Sequence, residues 1–146
     1  PFIAPEMLLK VMSCFNDAKT DIATLVKPFA ADEDIFNPNS PKVVVGATNF
    51  ALYFSRSAIP YLRGVDQQEW QQKHTFLKHI GLYGYRTKVL HQLTQLPQGN
   101  MEVAESLEQL RWLENGYSIK VERTEHQSIG IDTPEDLAKA LEQNLL

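Results

Sequence analysis

The sequence predicts an α/β fold, because its apolar residues follow two different periods that alternate along the chain. Some stretches repeat every three to four residues, as the buried face of a helix does, and others are short apolar runs or alternations typical of strands. No internal repeat is present. At 146 residues, with 43% hydrophobic and 22% charged side chains, the chain has the size and composition of one soluble globular domain, residues 1–146.

The first half of the chain predicts a helix, a strand and a β-hairpin. Residues 22–28 are an apolar run that ends at a proline, and we expect a strand there. The loop at residues 36–41 is dense in turn formers, and the short strands after it, at residues 42–45 and 50–55, are spaced as in a hairpin. Before all of these, apolar residues recur at helical spacing around a first-turn proline, Pro5. They are Ile3, Met7, Leu8, Val11, Met12 and Phe15.

Arg56 follows the second hairpin strand directly. A guanidinium at a strand end can grip a carboxylate or a phosphate, because its N–H donors form a fork. The alternative is an ordinary surface arginine. The polar residues 62–73 that come next show no periodicity, so we expect a loop there that is docked by Trp70.

The next strand, residues 78–86, carries polar and aromatic side chains on one face. Alternation places His79, Gly81, Tyr83 and Tyr85 together, with Ile80 and its neighbours on the opposite face. The glycine between His79 and Tyr83 would let a ligand lie against the backbone, so this face is a candidate floor for a hydroxylated small molecule. The alternative is a histidine and tyrosines that are satisfied within a core or an interface.

The second half predicts two helices and a strand. Apolar residues from Val89 to Leu96 repeat as a helix that ends before Pro97. A longer helix is expected at residues 101–115, capped by Asn100 and stopped by Gly116, with Ala104 and the leucines that follow facing the core. Three polar residues share a neighbouring face of that helix, where solvated side chains are the ordinary expectation. They are Glu105, Glu108 and Gln109. A strand at residues 117–121 and a polar connector at residues 122–127 follow.

The stretch at residues 128–137 reads as a strand end followed by a helix start. Thr133 suits the N-cap, Pro134 the first helical position, and Asp136 completes a Thr-x-x-Asp capping box. Asp132 is not needed for that cap. A carboxylate just beyond the carboxyl end of a strand is well placed to hold a hard cation such as Mg²⁺. The alternative is that Asp132 itself caps the helix.

Composition argues against several classes of protein. A net charge of −4 offers no basic field to hold a nucleic acid or an anionic membrane surface. The single Cys14 cannot form an internal disulfide or a cysteine zinc site, and the scattered glycines form no phosphate-binding loop. No apolar run is long enough to span a membrane and no signal peptide is visible, so we expect a cytoplasmic protein.

Five motifs, taken together and in order, resemble one family. They are Phe36-Asn-Pro-Asn with Lys42-Val-Val, Leu52-Tyr-Phe-Ser-Arg-Ser-Ala-Ile-Pro60, His79-Ile-Gly-Leu-Tyr-Gly-Tyr-Arg86, Glu105-Ser-Leu-Glu-Gln-Leu-Arg111 and Gly130-Ile-Asp-Thr-Pro-Glu-Asp-Leu137. The family is that of the CMP-Kdo synthetases, the 3-deoxy-manno-octulosonate cytidylyltransferases. The resemblance implies a mixed-sheet, Rossmann-like fold of the nucleotide-diphospho-sugar transferase kind. It also implies a protruding β-hairpin that serves as a dimerisation element, and so a homodimer.

The resemblance implies a reaction and a set of site residues. CTP and 3-deoxy-D-manno-octulosonate (Kdo) would give CMP-Kdo and pyrophosphate, for lipopolysaccharide biosynthesis. Asp132 would hold Mg²⁺, and Arg56 would meet the sugar carboxylate or the phosphate. The residues implied to bind the sugar hydroxyls are His79, Tyr83, Glu108 and Gln109.

The resemblance also implies parts of the family that this chain lacks. On this resemblance, a CTP-gripping loop and a second acidic metal-binding segment would come ahead of the position of Pro1. We therefore expect this chain to be the C-terminal, sugar-binding and dimer-forming part of the enzyme. Two alternatives stay open: a sugar-binding or dimerisation module without catalysis, and a cytidylyltransferase for 8-amino-Kdo or a sialic acid.

Overall fold

A computed structural model describes residues 3–126, and within them it contains five strands, five short helices and two 3₁₀ turns. The strands are β1 (Ile22–Pro28), β2 (Lys42–Val45), β3 (Ala51–Ser55), β4 (Leu77–Tyr85) and β5 (Ile119–Arg123). The helices are α1 (Pro5–Ser13), α2 (Trp70–Lys73), α3 (Thr87–Leu93), α4 (Asn100–Glu105) and α5 (Gln109–Glu114). The 3₁₀ turns are Cys14–Asn16 and Gln67–Glu69.

The five strands form one mixed sheet in the order β3-β2-β4-β1-β5. The central strand pair β1–β4 is antiparallel, whereas β1 and β5 run parallel. The chain passes from β4 to β5 through α3, α4 and α5. The predicted α/β class with a mixed sheet is therefore confirmed. The predicted first helix, first strand and hairpin all form, within a residue or two of the expected bounds.

The hairpin of β2 and β3 is joined to the rest of the sheet at both of its ends. β2 pairs with β4 at one position, Lys42 with Lys78. The hairpin tip instead reaches β5, where Val121 donates its N–H to the carbonyl of Asn49 at 2.8 Å and Phe50 forms a bridge with Lys120. A cavity of about 570 Å³ lies between the hairpin and the ends of β1, β4 and β5.

Helices cover the sheet on both faces. On one face, Met7 and Val11 of α1 pack against Ala23 and Leu25 of β1. The other face carries the larger core, in which side chains from α3 and α5 meet the strands. Its helical members are Val89, Leu93, Leu110 and Trp112. A third small cluster of Ile35, Trp70 and Phe76 fastens the long loop after β3, so the expected docking of that loop by Trp70 is confirmed.

The helix expected at residues 101–115 is wrong as one element. It is broken into α4 and α5 at Ser106, whose backbone is left-handed with φ 50° and ψ 47°. The break exposes Ala104, which the continuous helix would have turned to the core, and leaves Leu107 and Leu110 buried. Gly99, and not Asn100, is the N-cap residue of α4. The left-handed Gly116 ends the region as expected, with φ 82°.

Two further expectations about the chain's elements differ from the structure in detail. The loop at residues 62–73 contains a 3₁₀ turn followed by the short helix α2, and β5 extends to Arg123 into the expected connector. The motif at residues 128–137, with Asp132 and the last predicted helix, lies outside the described residues. No helix within residues 3–126 has the length and apolar character needed to cross a membrane.

Candidate functional site

His79 lies near the start of β4 on the face that carries the larger core. Its ring packs edge-on against Phe54 and tilted against Tyr83, with ring centres 5.2 Å apart in both pairs. Its Nε2 is 3.1 Å from the hydroxyl oxygen of Thr24 in β1. Burial lowers the pKa of His79 to about 4, so the imidazole is neutral at physiological pH.

Tyr83 continues this face toward α5. Its ring meets Trp112 edge-on at 5.2 Å and stacks beside Tyr85 at 6.0 Å. Its hydroxyl is buried and has no hydrogen-bond partner among residues 3–126. Burial, followed by the charges of Tyr85 and Glu108, raises the pKa of Tyr83 well above its ordinary value, so the phenol stays protonated. The site therefore holds a protonated hydroxyl that the described protein does not satisfy.

A β-bulge in β4 separates His79 from Tyr83. In the pairing with β1, Leu25 lies opposite Ile80 but Thr24 lies opposite Tyr83, so β4 carries two extra residues at this point. Because an even number of residues is inserted, the alternation is preserved and His79 and Tyr83 stay on one face, as predicted. A side chain added at Gly81 would meet nothing within 4 Å. The open space that the sequence predicted beside this glycine is present.

The Asn-Pro-Asn loop approaches His79 from the hairpin side. A cavity of about 170 Å³ is lined by Asn39, Ser40, His79 and Gly81, together with their neighbours. The larger cavity of about 570 Å³ borders neither His79 nor Tyr83. Two motifs that are far apart in the sequence therefore meet at the small cavity, and we take this cavity as part of the candidate site.

Glu108 and Gln109 lie at the start of α5, directly after the helix break, and they differ in their exposure to solvent. Gln109 is buried, whereas the carboxylate of Glu108 is exposed and accepts a hydrogen bond from Arg111 at 2.5 Å. The charge of Glu108 is close enough to raise the pKa values of both Tyr83 and Tyr85. The structure thus brings Glu108 into the electrostatic neighbourhood of the β4 face.

Arg56 is held by backbone carbonyls. Its Nε donates to the carbonyl of Glu105 at 2.7 Å, its Nη1 to Pro38 at 2.9 Å and its Nη2 to Ser106 at 3.1 Å. These three bonds join the Asn-Pro-Asn loop, the end of β3 and the α4–α5 break. They also explain the break, because the carbonyls of Glu105 and Ser106 bond to a guanidinium from a distant part of the chain. A substrate contact by Arg56 stays a prediction.

Sequence reasoning missed the groups that support Arg56. Lys42 is fully buried at the start of β2, and its ammonium donates to the carbonyls of Asn37 at 2.8 Å and Arg56 at 2.6 Å. Burial lowers the pKa of Lys42 from its ordinary value. The carboxylate of Glu105 accepts from the Ser55 hydroxyl at 2.6 Å and from the Arg56 N–H at 2.9 Å. The available signal was a lysine opening an otherwise apolar strand, since a buried charge requires partners.

The metal prediction is untested by the described residues. Within residues 3–126, no three His, Cys, Asp or Glu side chains lie close enough together to hold a metal ion. Asp132, the sequence-predicted magnesium ligand, lies outside that range.

Comparison with known proteins identifies relatives of the chain. A family model described as "Cytidylyltransferase" matches residues 1–124. The "3-deoxy-manno-octulosonate cytidylyltransferase" of Parabacteroides distasonis is 63% identical over 145 residues, and that of Bacteroides thetaiotaomicron is 59% identical over 145 residues. Each match covers 97% of this chain and 58% of the relative, so the chain spans little more than half the length of these proteins.

A solved structure shares the fold. It is that of a "CMP:2-keto-3-deoxy-manno-octonic acid synthetase complexed with CTP", with a TM-score of 0.84 and 39% identity, and the match covers 99% of this chain and 58% of that one. The resemblance drawn from the five motifs and the fold class it implied are both confirmed.

Proposed function

This chain belongs to the cytidylyltransferase family, and we propose that it is the sugar-binding part of an enzyme that forms CMP-Kdo and pyrophosphate from CTP and Kdo. The observation that carries the sugar assignment is the β4 face. There His79 and Tyr83 lie in ring contact, and the Tyr83 hydroxyl has no partner within residues 3–126. A buried hydroxyl without a partner costs roughly 1–3 kcal/mol, so a ligand hydroxyl that pairs with it gains affinity and a defined orientation.

The chemistry that this face would serve is a phosphoryl transfer. The C2 hydroxyl of Kdo attacks the α-phosphorus of CTP, the bond to the β-phosphate oxygen breaks, pyrophosphate leaves, and the hydroxyl proton is released. Such reactions depend mainly on positioning and on charge neutralisation. His79, Tyr83, Glu108 and Gln109 would hold the sugar hydroxyls, and Arg56 would face the sugar carboxylate or the phosphate.

We further propose that Asp132 holds Mg²⁺, whose usual ligands are one or two carboxylates, water and substrate oxygens. When bound, the ion would neutralise phosphate charge and make the sugar hydroxyl more acidic. A single carboxylate fits one position of such a site.

We propose a cytoplasmic homodimer whose product serves lipopolysaccharide biosynthesis. The dimer would use the β2–β3 hairpin and the Asn-Pro-Asn loop. In support, two apolar side chains of this region are solvent-exposed, Phe36 at 43% and Leu52 at 62%. An interface that covered these side chains would remove apolar surface from water, which favours association.

The test is pyrophosphate release from CTP, measured for this chain and for a chimera. The chimera joins this chain to those parts of the Parabacteroides distasonis relative that have no counterpart in it. We expect the chimera to turn over Kdo and the chain alone to release no pyrophosphate. Turnover of 8-amino-Kdo or a sialic acid, without turnover of Kdo, would show that the substrate is that sugar instead of Kdo. A folded chimera that is inactive with all three sugars would refute the catalytic assignment and favour a binding module.

A further inference from the structure

The hydroxyl of Thr24 occupies the point where the β4 bulge faces β1, and three hydrogen-bonding atoms surround it. They are His79 Nε2 at 3.1 Å, the Ile80 carbonyl at 3.2 Å and the Leu82 carbonyl at 2.9 Å. Thr24 is fully buried. The bulge creates the arrangement, because its register shift falls between Thr24 and Leu25 and turns two carbonyls toward one hydroxyl.

A count of protons fixes the direction of each bond. A threonine hydroxyl has one proton and two lone pairs, and a carbonyl oxygen can only accept. The Thr24 proton must therefore go to a carbonyl, of which Leu82 is the nearer at 2.9 Å. The hydroxyl then accepts, and the Nε2 of His79 must be the donor. The opposite direction would leave the lone pairs of Thr24 facing two buried carbonyl oxygens with no proton between them.

His79 has only one proton to place. Its ring is neutral at physiological pH, because burial lowers its pKa to about 4. With that proton on Nε2, the other ring nitrogen, Nδ1, is a bare acceptor. Within residues 3–126, the hydrogen bond of the His79 ring is the one at Nε2, and Nδ1 has no partner.

We propose that Thr24 is a positioning residue that locks His79 in its Nε2–H tautomer and thereby makes Nδ1 an acceptor for a ligand hydroxyl. The identity of the ligand rests on the proposed function. A bare acceptor nitrogen favours a group that can donate and disfavours an anion, whose lone pairs would face its own. Thr24 would thus direct the hydroxyl-bearing part of an acid sugar to His79 and keep the carboxylate away from it.

The tautomer is read directly from long-range ¹H–¹⁵N spectra of the ¹⁵N-labelled chain at pH 7. His79→Gln removes one ring system and so assigns the His79 signals among the four histidines. We expect a protonated Nε2 and an unprotonated Nδ1 in the free protein. A spectrum with the proton on Nδ1 would overturn the proposal without any ligand being present.

Two variants test the part played by Thr24. Thr24→Val keeps the shape and removes the hydroxyl, whereas Thr24→Ser keeps the hydroxyl. We expect the valine variant to lose the single tautomer and to bind Kdo about 3- to 10-fold more weakly, the effect of one neutral hydrogen bond. The serine variant should retain both properties. If serine also loses the tautomer while circular dichroism shows it folded, the hydroxyl is not the cause and the proposal fails.

Adding Kdo separates this proposal from the proposed function. We expect the Nδ1 resonance of the wild-type chain to move toward that of a hydrogen-bonded acceptor. If Kdo binds, by calorimetry, and Nδ1 does not move, the ligand-facing role is refuted. If neither Kdo nor a related acid sugar binds while the tautomer is as expected, the sugar-binding function fails and the tautomer assignment stands.

Discussion

Replacing Tyr83 by phenylalanine should stabilise the free protein and weaken its binding of Kdo. The two effects have opposite signs because they depend on the same hydroxyl. In the free protein this hydroxyl is buried without a partner among residues 3–126, so its removal relieves a desolvation cost. In the complex it would bond a sugar hydroxyl, so its removal loses that bond.

The magnitude follows from what the substitution leaves in place. The ring contacts of Tyr83 with His79 and Trp112, both at 5.2 Å between ring centres, need no hydroxyl and are retained by phenylalanine. What changes is one unsatisfied buried polar group, worth roughly 1–3 kcal/mol in the free energy of unfolding. A gain of 1 kcal/mol raises the melting temperature by about 2–4 °C in a protein of this size. The lost sugar bond should lower Kdo affinity about 3- to 10-fold.

Urea unfolding at an unchanged m-value measures the first effect, and calorimetric titration with Kdo measures the second. Tyr85→Phe is the matched control, since the Tyr85 ring also packs edge-on against Trp112, at 5.6 Å, while its hydroxyl is not among the orphaned groups. It should not stabilise the protein. If Tyr83→Phe instead costs about 1 kcal/mol, as the loss of an ordinary hydrogen bond does, then the hydroxyl has a partner in the free protein and the reasoning is refuted.

Three other predictions concern Gly84, His79 and Asp132. Gly84→Ala should lower the free energy of unfolding in urea by about 1–3 kcal/mol, because its Cβ would lie 2.7 Å from a side-chain carbon of α1. Gly81→Ala, whose Cβ would meet nothing within 4 Å, should lower it by less than 1 kcal/mol. Equal losses for the two variants would contradict the packing argument. The pKa of His79 is 6.5 in the unfolded chain and about 4 in the folded chain, so the unfolded chain binds a proton more readily. The free energy of unfolding should therefore fall as the pH falls between these two values, by up to about 3 kcal/mol. His79→Gln should remove that component from the pH profile of unfolding, and an unchanged profile would exclude His79 as its source. Asp132→Asn in the chimera should lower kcat/KM for pyrophosphate release by at least about 100-fold, which is roughly 3 kcal/mol of transition-state stabilisation. Near-normal activity of this variant would rule out Asp132 as a metal ligand.

The β4 face could be predicted from the sequence because its signal is local. Alternation alone places His79 and Tyr83 on one side of a strand, and the two-residue bulge between them preserves that parity. The bulge itself could not be predicted from the sequence, where Gly81 is its one local indication. Its consequence, two carbonyls turned toward Thr24, depends on the pairing of β1 with β4 and so on residues more than fifty positions apart.

The helix break could not be predicted for the same reason. Residues 101–115 have good helical periodicity, and a glutamate followed by a serine is no local stop signal. The break exists because Arg56, about fifty positions earlier, bonds the carbonyls of Glu105 and Ser106, while the Glu105 carboxylate bonds the backbone at Arg56 in return. Helical propensity is a weak preference that such a tertiary network overrides.

That network changes what a substrate role for Arg56 would require. A guanidinium has five N–H donors, and three of those in Arg56 bond backbone carbonyls, one from Nε and one from each terminal nitrogen. One N–H remains on each terminal nitrogen for a ligand. The side chain is already ordered by the folded protein, so a carboxylate that reached these donors would bind without the entropy cost of fixing a long, mobile arginine. Scaffold and ligand contact are therefore compatible roles for this residue. The buried Lys42, which holds the Arg56 carbonyl, then belongs to the same preorganised unit.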